Sequence, residues 1–227
     1  FLHNILGAAN ANLGNLNQSV LHFKKFIELD PNNASIYNNL GAVLIDLKNY
    51  EEAQIYFEKA IRLRPTNAEA YNNLGITQTQ LKKYDSACGS FQHAIKLNPL
   101  LRESYSNLGS ALSYQGKYAS AIISFEKAIT IDPNYDHANQ NLFEVMINLD
   151  PQKAIFKLKS FLSNNPSSFL SAHMLAQVYE KNGLSDEAIK YYKLAIKAKS
   201  DYYPSYNNLG LIYSNKEQFG KAVQVFK

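Results

Sequence analysis

Cysteine occurs once in the 227 residues, at Cys88, so no disulfide can form within the chain, and a reducing, cytoplasmic setting is the expectation. No apolar run approaches the roughly 20 residues that a helix needs to span a bilayer, so no membrane partner is expected. The basic segment and apolar stretch of a secretory leader are missing at the start. The chain opens at Phe1 inside a repeated pattern and stops at Lys227 midway through a helical one, which leads us to expect a piece of a longer protein. Charge is modest in both signs: 23 Lys and Arg against 19 Asp and Glu leave a net +4, too mild to argue for nucleic acid. HExxH, CxxC, the P-loop and GxGxxG are all absent. His3, His22, His93, His137 and His173 are scattered without metal-ligand spacing. No catalytic residue, metal or cofactor is expected, and the chain is not read as an enzyme.

What the chain does have is repetition. Tyr37-Asn38-Asn39-Leu40-Gly41 returns as Tyr71-Asn72-Asn73-Leu74-Gly75, as Tyr105-Ser106-Asn107-Leu108-Gly109 and as Tyr206-Asn207-Asn208-Leu209-Gly210. The glycines at 41, 75 and 109 are 34 residues apart. A fixed period of this size marks a solenoid, in which each repeat buries its apolar face only by stacking on its neighbours. Within residues 34–67, Tyr37, Leu40, Gly41 and Leu44 fall at i, i+3, i+4 and i+7, one face of a first helix, and Ala53, Phe57 and Ala60 mark a second. Lys48-Asn49-Tyr50 makes the turn between them, Glu51 and Glu52 suit the second helix's first turn, Pro65 ends it, and Asn67 can cap the next. Small residues at Gly41 and Ala53 let the two backbones approach, with Phe57 filling the space beside them.

The order of small, aromatic and proline positions resembles the tetratricopeptide repeat (TPR) family, with Tyr standing where that family usually has Trp, which is absent here. The resemblance covers the chain as one array: repeats at about 34–67, 68–101, 102–135, 136–168 and 169–202, with partial copies at 1–33 and 203–227. It implies an all-α TPR solenoid, with antiparallel helix pairs stacked into a right-handed superhelix and the first helix of each pair lining a concave groove. The fifth copy departs from the pattern. Phe143 stands at the close-packing glycine and Phe161 at an alanine, and the turn at Asp150-Pro151 is one residue shorter. Bulky rings at close-approach sites are expected to push this pair apart and change the superhelix pitch around residues 140–165.

Function is then confined to surfaces. The Asn before each Leu-Gly recurs as Asn39, Asn73, Asn107, Asn141 and Asn208, although Asn is a mediocre helix former. Such a row can serve the scaffold itself by satisfying nearby backbone. Alternatively it is a ladder for a ligand, because a carboxamide offers a donor and an acceptor, as a peptide unit does. The arrangement resembles the asparagine-lined TPR groove of O-GlcNAc transferase, which implies an extended polypeptide as partner. Asn38, Asn39, Asn72, Asn73, Asn107, Tyr114, Asn141 and Asn208 are the candidate peptide-binding residues. His137 and His173 are also candidates for the groove side. The groove stripe carries Asp46, Glu69, Glu103, Glu144 and Glu180 and no cluster of cations, which disfavours both a two-carboxylate clamp and nucleic acid and favours neutral or basic peptides. The expected function is a protein-interaction module, scaffold or substrate-docking; the alternative is the recognition arm of a larger glycosyltransferase. End-to-end self-association of the bare ends is a further expectation.

Overall fold

The computed structural model describes residues 2–133 and 135–226. Among them the chain forms fourteen helices and no strand: α1 (Leu2–Asn12), α2 (Leu16–Leu29), α3 (Ala34–Asp46), α4 (Tyr50–Leu63), α5 (Ala68–Gln80), α6 (Tyr84–Leu97), α7 (Arg102–Tyr114), α8 (Tyr118–Ile131), α9 (Asp136–Leu149), α10 (Pro151–Asn164), α11 (Phe169–Lys181), α12 (Ser185–Ala198), α13 (Tyr203–Asn215) and α14 (Phe219–Phe226). They run as seven first-and-second-helix pairs. Tyr50 begins its helix rather than ending the turn before it. Asn67 caps α5 by accepting from the Ala70 amide, and Asp150 and Ser168 cap α10 and α11 in the same way.

The core of each of the first four pairs is one ring laid on one glycine. A Cβ placed on Gly7, Gly41, Gly75 or Gly109 would lie 2.5–2.7 Å from the ring of Phe23, Phe57, Phe91 or Phe125 respectively. Those phenylalanines are fully buried, as are the partner alanines Ala53, Ala87 and Ala121. The chain therefore needs hydrogen at the glycine position so that an aromatic ring can fill the groove between the two helices.

Each regular pair also shares one turn. Gly14, Lys48, Lys82, Gly116, Gly183 and Glu217 all have φ between 59° and 76°. The residue after each closes a hydrogen bond back to the helix, as in Asn49 N–H to Leu44 O (2.8 Å) and Leu184 N–H to Tyr179 O (2.9 Å). This is the left-handed helix stop that favours glycine. Between α9 and α10 it is missing: Asp150 has φ −148° and its N–H makes an ordinary bond to Met146 O. The residue the fifth copy lacks is thus the left-handed one, and Pro151 at the first position of α10 takes over the change of direction. In this pair Phe143 is buried and meets Phe161 edge-on, with ring centroids 5.8 Å apart.

The chain divides into two compact units, Phe1–Ala138 and Asn139–Lys227. In the first unit, consecutive first helices touch one another (α1 with α3, α3 with α5, α5 with α7), while no comparable contact joins consecutive second helices. First helices that crowd together while second helices splay put the first helices on the inner side of this unit.

Gly75→Ala should lower stability by about 1–3 kcal/mol, because the Phe91 ring has to leave its well-packed position; urea melts of the two proteins measure the loss. Lys48→Gly should act in the opposite sense, raising stability in the same melts by up to about 1 kcal/mol through relieved left-handed strain.

Candidate functional site

The candidate asparagines of the first unit fall into two roles that a single position in the sequence separates. Asn38 and Asn72 are buried, at 9% and 8% exposure. Their side-chain oxygens take bonds from the next repeat: Asn73 Nδ2 donates to Asn38 Oδ1 (3.2 Å), and Asn107 Nδ2 donates to Asn72 Oδ1 (3.1 Å). Ser104 Oγ donates to the same Asn72 oxygen at 2.9 Å. Asn38 and Asn72, candidates for ligand contact on sequence grounds, instead sit between adjacent first helices as acceptors.

Asn73 and Asn107 are half-buried and spend one N–H on that link, which leaves each carbonyl oxygen and a second N–H. Asn39, at the head of the row, is half-buried and makes no side-chain hydrogen bond to another described residue. Asn107 and Tyr114 line a cavity of about 170 Å³ in this unit, together with Ile76, Thr79, Gln80 and His137. Tyr114 is 65% exposed and stacks on Tyr84, with centroids 5.2 Å apart. His137 approaches Ser106 Oγ through Nδ1 at 3.0 Å. Arg102, a cation at the head of α7, bridges Glu103 and Asp132, so much of its charge is answered at home.

The second unit is built differently. Asn141 is half-buried and already engaged by neighbours. Asn208 donates to the Tyr192 hydroxyl (3.1 Å), which donates in turn to Glu180 Oε2 (2.6 Å). Tyr192 occupies the place of Phe57, Phe91 and Phe125 and is fully buried beside Ala176 rather than a glycine. Burial, and then the bond to Glu180, push its hydroxyl pKa up. Tyr192 is legible only as a core ring in the sequence; its signal was the hydroxyl on a position that is otherwise Phe. His173 does not face a groove. It is buried, its Nδ1 lies 2.8 Å from Ser205 Oγ, and Tyr192 and Tyr202 flank its ring. Burial without a compensating anion holds its pKa down at about 4. Cys88 is buried, and burial raises its thiol pKa, the state of an unreactive packed sulfur. Among the described residues no group of three His, Cys, Asp or Glu side chains is placed to hold a metal ion. No described helix is long and apolar enough to cross a membrane.

An array of paired helices with polar first-helix faces and no reactive cluster among the described residues defines a helical-repeat module for protein interaction. Tetratricopeptide repeat models match residues 7–48, 32–99, 103–135, 171–202 and 203–227, and the chain belongs to the tetratricopeptide repeat family. The stretch 136–170, which holds the irregular pair, lies outside every match. No curated protein matches the sequence. Among solved structures, MamA is similar at 25% identity and a TM-score of 0.55, over 88% of this chain and 97% of that one. YrrB, described as a TPR protein with an unusual peptide-binding site, is similar in fold at 19% identity and a TM-score of 0.60, over 82% and 96%.

The depressed His173 pKa fixes a pH dependence. Unfolded, this histidine takes a proton near pH 6.5; folded, it resists until about 4, so its contribution is complete above 6.5 and is lost as pH falls toward 4. Between pH 7 and pH 4 the native chain should lose about 3 kcal/mol more stability than His173→Gln does, as read from paired melts.

Proposed function

We propose that the chain binds an extended polypeptide along the inner side of its first unit, where Asn39, Asn73 and Asn107 present carboxamides to the passing main chain. The observation that carries this reading is the division of labour among the asparagines. Asn38 and Asn72 absorb one N–H from each following rung, and the rungs keep an acceptor and a donor for something else. A row serving only the scaffold would have no use for that remainder. Neighbouring helices pack roughly 8–10 Å apart, and an extended chain advances about 3.3 Å per residue. Each rung therefore meets about every third residue of the ligand, on one face of the strand. Tyr114 adds a flat apolar surface beside Asn107, suited to a ligand side chain.

Each such hydrogen bond nets only about 1 kcal/mol, so the row alone gives weak binding that tolerates many sequences. This is the behaviour of a docking or scaffolding surface, and it accords with a peptide-binding fold relative such as YrrB. The match to a protein-interaction family supports the same class of partner.

Asn39 gives the cleanest test, because its side chain makes no hydrogen bond to another described residue. Asn39→Ala should weaken binding of a fluorescent extended peptide about fivefold in anisotropy titrations, with an unchanged thermal melt. Asn107→Ala should lose both affinity and about 1 kcal/mol of stability, since it also cuts the link to Asn72. Unchanged peptide affinity in both variants would leave the row a scaffold device.

A further inference from the structure

The second unit contains a cavity of about 400 Å³ bounded by Glu144 and Asn148 of α9, Gln177, Glu180 and Lys181 of α11, and Asn208 of α13. Its polarity follows from the buried hydroxyl behind it. A carboxylate only accepts hydrogen bonds, so the Tyr192 proton must go to Glu180 Oε2, 2.6 Å away. The hydroxyl oxygen then has only lone pairs to offer, and Asn208, 3.1 Å away, must turn its N–H₂ toward it. That choice leaves the Asn208 carbonyl oxygen unbonded on a residue that lines the cavity. Tyr192 is fully buried, so water cannot replace it and the chain Asn208–Tyr192–Glu180 stays fixed. Glu180 keeps Oε1, and Gln177 makes no side-chain hydrogen bond to another described residue, leaving its own oxygen available.

Charge points the same way. Two carboxylates, Glu144 and Glu180, stand against one cation, Lys181, whose Nζ is drawn 3.3 Å from Asn148 Oδ1. The cavity is therefore net negative and rich in oxygen acceptors. No cation from the described residues sits opposite Glu180, whose hydrogen-bond partner is the neutral Tyr192.

We infer that this cavity receives the arginine side chain of a bound polypeptide, with the guanidinium donating to Glu180, Asn208 and Gln177. A guanidinium carries five N–H donors in a plane, and several separated oxygens suit it better than they suit the compact three-donor ammonium of lysine. The inference rests on the peptide-binding reading above and gives it a selectivity that an asparagine row by itself lacks. At the matching core positions of the first unit stand Phe57, Phe91 and Phe125, whose rings carry no hydroxyl to fix a carboxylate.

The test compares two capped, fluorescent peptides of Ser and Asn that differ at one central residue, arginine in one and citrulline, its uncharged isostere, in the other. The intact chain should bind the arginine peptide about tenfold more tightly, the size expected of a charge-assisted hydrogen bond. Glu180→Gln should erase that preference while leaving the citrulline peptide unaffected. Tyr192→Phe should reduce it, since it keeps the ring that the first unit tolerates but frees Glu180. Glu69→Gln removes the same charge from the first unit and should change nothing. Equal binding of the two peptides by the intact chain overturns the arginine site but leaves the docking function standing, as does equal loss of preference in Glu69→Gln. Failure of both peptides to bind removes the docking function itself. Capped arginine amide that competes as well as the peptide would overturn a polypeptide as the occupant.

Discussion

Each of the first four helix pairs depends on an aromatic ring lying on a bare backbone. Gly7, Gly41, Gly75 and Gly109 leave less than 3 Å between a hypothetical Cβ and the ring that faces it. The ring cannot shift without losing its contact with the buried alanines, so the two helices of a pair are held at a separation set by the thickness of a phenyl group. Because the period keeps this contact in register, the same faces of successive first helices are brought side by side. The asparagine row of the first unit is a by-product of that register: residues two positions before each glycine align because the glycines do.

This contact also explains where the chain stops being regular. Phe143 fills the glycine position and Phe161 an alanine position, and the two rings resolve the conflict by meeting edge to edge. The connection that follows has lost its left-handed residue as well. This pair has given up both the ring on a glycine and the left-handed turn and coincides with the stretch that no family model matches, whereas α11–α12 has given up only the glycine.

The helix pairs, their period and the irregular fifth copy were legible in the sequence because they rest on local spacing and on residues with narrow roles: glycine, proline and a ring. The split between Asn38 and Asn39, or Asn72 and Asn73, was not. Adjacent residues on a helix point about 100° apart, and which of two neighbouring carboxamides is buried depends on how the next repeat leans on it. The burial of His173 is hidden for the same reason, since it comes from Tyr192 on α12, Ser205 on α13 and Tyr202 just before α13. Tyr192 was placed correctly in the core, but the reach of its hydroxyl to Glu180 and Asn208 depends on contacts 12 and 16 residues away.

The links between asparagines in the first unit all run in one sense: the later repeat gives the proton and the earlier one receives it, from Asn107 to Asn72 and from Asn73 to Asn38. Each linked pair is therefore polar along the array, with its donor in the later repeat, and the two directions along the row are chemically inequivalent. A polypeptide is itself a directional string of amides. Under the docking function proposed above, reversing such a string would exchange donors for acceptors at the linked rungs, so the two threading senses would be inequivalent before any side chain of the guest is read.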